Sequence, residues 1–293
     1  MMGAEHISRA LRGRWYQRYG LAFCPAHDNT RTPALRLADG DGGRLLALCS
    51  AGCSFAEVLD ALRGLGLADG RSVHVLPDAA AVARRRAADE AEAIKREAHA
   101  RAVWREAMPI AGTLAETYLC HRGITCDLPA TLRFHPHCWH PSARRIPAMV
   151  GLVEGSARLA VHRTYLREDG EGKADATPDK AMLGAVAGGA VVLSEGPWPL
   201  VACEGVETGL SLLSGLLTVP ARVWAALSTS GLRALQLPAV PGVLLIAADG
   251  DAPGAEAANV LAGRAHALGW QVSLWPAPAG QDWNDVLRRG LAA

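Results

Sequence analysis

Three thiols and one imidazole stand in two short pairs near the start of the chain. Cys24-Pro-Ala-His27 comes first, and after 21 residues Cys49-Ser-Ala-Gly-Cys53 follows. Two ligands on each of two turns, carried by a hairpin, can close a tetrahedron around zinc. Four protein ligands leave no open position. The expected role is therefore structural, with the ion supplying folding energy to a small module. Seven cysteines in all is an odd number, which does not suit a fully paired disulfide framework. It fits metal ligands and buried thiols in a reducing compartment.

A second set of residues is acidic. In VACEGVETG, Glu204 follows an apolar run and precedes a Gly turn. In LLIAADGDAPG, Asp249 and Asp251 end another apolar run, and in GQDWNDVL, Asp282 precedes Asn284 and Asp285. In open α/β sheets ligands bind at the carboxyl ends of strands. Carboxylates gathered there repel one another unless a cation joins them. Magnesium, which takes a few carboxylates, waters and phosphates, removes that repulsion and suits phosphoryl transfer. Taken singly, each acid also has a plain alternative. Asp-Gly-Asp is an ordinary turn, Glu204 could rest on a helix dipole, and Asp282 could open the last helix.

The elements that must carry these groups follow from pattern. ALRLADGDGGRLLALC reads as a hairpin, and Ser54 with Glu57 forms a capping box that opens a short helix. Residues 79–107 hold neither Gly nor Pro and interleave Ala, Arg and Glu, the pattern of a long, solvated linker helix. Residues 108–198 read as α+β, with RLAVHRTYL and AVVLSE as strands separated by the polar loop REDGEGKADATPDKAMLG. From 199 onward, continuous apolar strands alternate with helices, which indicates a parallel α/β sheet. The expected division is 1–75 zinc ribbon, 76–107 linker helix, 108–198 α+β segment and 199–293 catalytic α/β domain. FHPHCWHP offers His135, His137, Cys138 and His140, but alternating residues on an extended segment point to opposite faces, so these read as structural.

Composition narrows the function classes. The net charge is +1, so no basic field covers the whole chain, and any nucleic-acid contact must come from local patches. No apolar run approaches the roughly 20 residues of a membrane helix. The first residues lack the apolar core of a signal peptide. The expectation is a soluble, cytoplasmic protein without a membrane partner.

CPAHDNTRTP, a strand pair and CSAGC together resemble the N-terminal zinc ribbon of bacterial and phage DNA primases. The three-residue gap in the last pair is closest to phage and mobile-element relatives. Glu-Gly after one strand and Asp-x-Asp-x-x-Gly after a later one resemble the Toprim domain shared by primases, topoisomerases and certain nucleases. GQDWNDVL resembles a further primase element. The chain departs from the family in carrying Gln281 where a basic residue is usual and Thr208 where the cellular enzyme has another acid. The first metal site is untouched by these departures; they bear on a second one.

The resemblance spans essentially the whole chain and implies a DNA primase of phage, plasmid or mobile-element type. Such an enzyme makes short RNA primers from ribonucleoside triphosphates on single-stranded DNA, alongside a separate helicase. It implies structural Zn2+ on Cys24, His27, Cys49 and Cys53, and catalytic Mg2+ or Mn2+ on Glu204, Asp249 and Asp251. Asp282 joins the catalytic set, and Glu204 would assist deprotonation of the attacking 3′-hydroxyl. By motif position Lys173, Lys180 and Arg163 contact nucleotide phosphates or template, while Arg31 and Arg36 of the ribbon face DNA. The residues alone leave the lysines equally readable as solvated loop charges. A Toprim nuclease and a non-catalytic zinc-dependent DNA-binding protein remain the rival readings.

Overall fold

The computed structural model describes residues 3–28, 33–40, 44–68 and 79–291. Arg31 and the hairpin-turn residues 41–43 lie outside the described residues. The chain divides into two compact units, Met1–Asp89 and Glu90–Ala293.

The first unit contains α1 (Ala4–Ala10), β1 (Arg14–Tyr16), β2 (Tyr19–Ala22), β3 (Leu35–Asp39), β4 (Leu45–Cys49) and α2 (Phe55–Gly64). The four strands form an antiparallel sheet in sequence order. Leu35 and Leu37 of β3 are buried while Arg36 between them is exposed, the alternation of a sheet with one covered face. Covering that face are Ile7 of α1 and Val58 and Leu62 of α2. The capping box is present: the Glu57 amide donates to Ser54 Oγ at 3.3 Å, and the Ser54 amide donates to Glu57 Oε2 at 2.7 Å. The expected linker helix is α3, Ala79–Glu106, with i,i+4 pairs Glu92–Arg96 and Glu97–Arg101 along its surface.

The second unit holds two sheets. β5 (Met108–Pro109), β6 (Leu132–Trp139), β7 (Arg145–Val153), β8 (Ala160–Tyr165) and β9 (Lys180–Leu183) form an antiparallel meander, with α4 (Leu114–His121) between β5 and β6. The segment read as one polar loop therefore contains a strand, β9, which pairs with β8. Four residues between polar flanks give too short an alternation to be seen in the sequence.

The other sheet is built from β10 (Val191–Glu195), β11 (Leu200–Cys203), β12 (Arg222–Ala225), β13 (Val243–Ala247) and β14 (Gln271–Leu274), in the order β10-β12-β11-β13-β14. β10 is antiparallel to β12, and the remaining pairs are parallel. Its connections run through α5 (Val206–Ser211), α6 (Thr229–Ala234) and α7 (Ala252–Ala267), and α8 (Trp283–Leu291) follows β14.

Every residue of β11 is buried. Val201 and Cys203 face one apolar layer, whereas Leu200 and Ala202 face another, as a central parallel strand covered on both sides requires. The first layer also contains Leu132, Met149 and Val153. One core thus runs through both 108–198 and 199–293.

Candidate functional site

The Cys/His cluster follows from the register of the first sheet. Ala22 of β2, Leu35 of β3 and Cys49 of β4 lie in one row across it. β2 and β4 both run antiparallel to β3, so their carboxyl ends emerge on the same side. The turn after β2 carries Cys24 and His27, and the turn after β4 carries Cys53. The ligand atoms of Cys24, His27, Cys49 and Cys53 all lie within 4.8 Å of one another. His27 Nδ1 is 3.1 Å from Cys53 Sγ and 3.8 Å from Cys49 Sγ.

Burial, and then the neighbouring thiols, push the Cys24 thiol up to about 11. Burial acts the same way on Cys49, but backbone amides of Ala51 and Cys53 outweigh it and hold that thiol below its ordinary range. Three crowded sulfurs and an imidazole nitrogen match the donor set of a closed zinc site, in which the cation would take the place of the thiol protons.

The acidic cluster is built from strand ends. Cys203 of β11 pairs with Ala247 of β13, so the two neighbouring parallel strands finish level. Glu204 leaves β11, and Asp249 and Asp251 leave β13, on that common edge. Asp251 is the N-cap of α7, its Oδ1 accepting the Gly254 amide at 2.7 Å. A Cβ on Gly254 would stand 2.8 Å from Glu204 Oε1 and 2.9 Å from Asp251 Oδ1, so only glycine admits both carboxylates there.

Asp282 reaches the cluster because its loop is tied to the Asp-Gly-Asp turn. The Gly250 amide donates to the Gln281 carbonyl and the Gly280 amide to the Gly250 carbonyl, each at 2.8 Å. A Cβ on Gly250 would lie 2.0 Å from the Pro278 carbonyl oxygen. Asp282 also opens α8, its Oδ1 accepting the Asp285 amide at 2.8 Å. Asn284 is buried and donates to the Arg122 carbonyl at 2.8 Å and to Ser211 Oγ at 2.9 Å, which docks that helix.

Two of the acids are raised by burial and by their acidic neighbours. Burial, then Asp249 and Asp251, push the Glu204 carboxyl up to about 7. Burial, then Asp282 and Asp251, push Asp249 up to about 6. Glu204 Oε1 and Asp249 Oδ1 are buried and have no hydrogen-bond partner. Buried carboxylate oxygens without donors beside other negative charges fit a divalent cation as the missing partner. Among the described residues, the Cys/His set is the one group of three or more such ligands gathered closely enough for a single ion. The acids are more widely spaced.

The expected phosphate-binding residues part company. On β8 and β9, Thr164 pairs with Lys180 and Arg163 with Ala181. Lys180 therefore projects from one face of the antiparallel sheet and Arg163 from the other. Lys180 is on the side of the acids, where its charge opposes the rise of the Asp249 carboxyl. Lys173 ion-pairs with Asp179 at 2.8 Å. Arg163 lies among α3-facing residues, and sequence reading grouped it with the lysines because alternation could not be counted through an unseen β9.

Glu207 and Tyr118 complete the surroundings and were missed. Glu207 accepts from Lys180 Nζ at 2.9 Å and from the Tyr118 hydroxyl at 2.9 Å. Burial works against its charge, but the Lys180 ammonium prevails and holds its carboxyl far below the usual range. The available signal was an acid on the otherwise apolar helix VETGLSLL, since a buried Glu needs a cation. His162, on the Lys180 face, is pushed down to about 4 by burial and then by that ammonium, and so is neutral at pH 7. His135, His137, Cys138 and His140 lie on or beside β6. His140 and Cys138 are fully buried.

Residues 94–193 match a domain of unknown function (DUF7146), and residues 199–293 match the Toprim domain. No curated protein matches the chain. Solved structures that match the chain include three from primases. The Aquifex aeolicus primase (zinc binding and RNA polymerase domains) is 14% identical over 97% of this chain and 79% of that one, with a TM-score of 0.38. The RNA polymerase domain of Mycobacterium tuberculosis primase DnaG is 15% identical over 69% of this chain and 83% of that one, with a TM-score of 0.35. A DNA primase domain from Pseudomonas aeruginosa is 15% identical, with a TM-score of 0.30. In that case 58% of this chain spans about half, 54%, of the other. The chain's C-terminal third, with its level strand ends and acidic edge, is a Toprim domain.

Proposed function

We propose that the protein is a DNA primase of phage, plasmid or mobile-element type, joining ribonucleotides on a single-stranded DNA template. The observation that carries this reading is geometric: Glu204 and Asp249, with Asp251, leave the level ends of β11 and β13, and the loop before Asp282 is tied to the turn between the two aspartates through Gly250. Glu204, Asp249 and Asp251 would hold Mg2+ or Mn2+. Bound there, the cation supplies activation of the attacking 3′-hydroxyl and neutralisation of the leaving pyrophosphate.

The chain's own groups do the rest. Glu204, at the end of β11, would also accept the proton of the attacking hydroxyl. Lys180, fixed by Glu207, offers a point charge to a phosphate, and Lys173 adds a second on the neighbouring loop. The Cys24–His27–Cys49–Cys53 cluster would hold zinc and shape the first unit, where Arg36 faces the template. A separate helicase would deliver single-stranded DNA.

The test supplies labelled ribonucleotides, a random single-stranded template pool and Mg2+ or Mn2+, with sequencing of the products. Primers made by the wild type and lost in Asp249→Asn carry the proposal. Template cleavage in place of synthesis replaces it with a Toprim nuclease, and binding without either activity replaces it with a non-catalytic DNA-binding protein.

A further inference from the structure

On the face of the antiparallel sheet away from Lys180, α3 and strands β6–β9 enclose a cleft of about 440 Å3. That is the size of a small-molecule site. Arg163, only 6% exposed, lines it. Its Nη1 donates to the Trp139 carbonyl at 2.9 Å and its Nη2 to the Met182 carbonyl at 3.4 Å. Its Nε is buried with no partner. Two neutral carbonyls accept from it, and the buried Cys138 thiol lies beside it. Glu106, which also lines the cleft, is bonded to His135, and among the described residues no carboxylate forms an ion pair with this guanidinium. Such a charge is costly to bury unless an anion joins it.

The rim supplies more of one ligand's features. Trp139 is 52% exposed, and the Arg145 guanidinium stands 5.9 Å from its ring centroid. Trp139 and Arg145 are cross-strand partners, so a flat apolar surface and a cation share one edge of the cleft. Across it, Glu106 of α3 bonds His135 at 3.2 Å and keeps much of its carboxylate in solvent.

We propose that this cleft binds a nucleoside phosphate, free or as one unit of a single strand, at a site separate from the acidic cluster. The phosphate would meet Arg163 and Arg145, the base would stack on Trp139, and Glu106 would accept from a sugar hydroxyl or base edge. A bare anion would leave Trp139 and most of the volume unused.

The test uses the full-length, zinc-loaded Asp249→Asn/Asp251→Asn protein without divalent cation, which silences the acidic edge. Calorimetry compares ATP, inorganic triphosphate, adenosine and an oligo-dT 12-mer. ATP is expected to bind, and Trp139→Ala and Arg145→Ala each to weaken it at least about fivefold. Both side chains are exposed, and the Trp139 carbonyl that holds Arg163 survives the first change. The same sensitivity for the 12-mer alone also supports the site and identifies a strand as its source. Unchanged affinity in both variants overturns the proposal, as does the absence of ATP and 12-mer binding. Triphosphate binding as tightly as ATP with Trp139→Ala silent reduces the cleft to an anion site and overturns the nucleotide assignment. Failure of primer synthesis leaves all these outcomes readable.

Discussion

The Cys/His cluster and the acidic cluster both collect ligands from distant segments, yet they are built in opposite ways. In the first, four donor atoms already lie within 4.8 Å of one another, the full number a tetrahedral zinc takes. In the second, each carboxylate is positioned by its own backbone device: a strand end for Glu204, a helix cap for Asp251, a loop tie for Asp282. A site whose ion belongs to the fold draws its ligands inward. A site whose ion is shared with substrate holds them apart with hydrogen bonds that do not need the ion. Removing the cation should therefore unfold one region and merely disarm the other.

The largest effect is expected at the closed site. Cys49→Ser, or chelation, should melt the first unit and leave residues 90–293 folded, because zinc supplies about 10–16 kcal/mol to comparable modules. Circular dichroism, limited proteolysis and zinc content measure this, and an unchanged first-unit melt would erase the contrast. At the open site, Asp249→Asn should lower nucleotidyl transfer by about 10²-fold or more while the melting temperature holds or rises. Asp251→Asn should do the same, since Asn also caps a helix.

Lys180→Met should come next. It leaves Glu207 buried without its cation, at a cost of about 3 kcal/mol, and adding Glu207→Gln should restore most of that in chemical denaturation.

A smaller, pH-dependent effect separates the regions further. In metal-free protein the folded state keeps protons on Glu204 and Asp249, at about 7 and about 6, that the unfolded chain has already released. The contribution of these two groups should therefore be most favourable below the ordinary carboxylate range and be lost as pH rises through about 6 to about 7, by on the order of 2 kcal/mol. The Glu207 contribution is lost in the opposite direction, on acidification. Glu204→Gln should flatten the slope, and Mg2+ should reverse it. Smallest of all, Ser54→Ala should cost the first unit about 1 kcal/mol and leave the second unchanged.

Much of this was legible in the sequence because it rests on local rules. The hairpin ending at Cys49, the capping box at Ser54 and the alternating strands from Leu200 onward need only neighbouring residues to announce them. The spacing of Cys24, His27, Cys49 and Cys53 marks a metal cluster for the same reason. What escaped depends on pairing between distant segments. β9 is four residues long and declares itself only against β8, and without it the opposite facing of Arg163 and Lys180 could not be known. The Glu207–Lys180–Tyr118 contact joins three segments, and β10 joins the C-terminal sheet from outside the segment expected to hold it.

The clasp at Gly250 has a consequence for how the chain assembles. Its amide and carbonyl are both engaged by residues 280–281, and no side chain fits beneath them. β13, which leads to Asp249, can form early, but the turn after it is locked only when residues 280–281 arrive. During synthesis the acidic edge thus stays incomplete until residues 280–281 have left the ribosome, so a shorter nascent chain carries the carboxylates without their alignment.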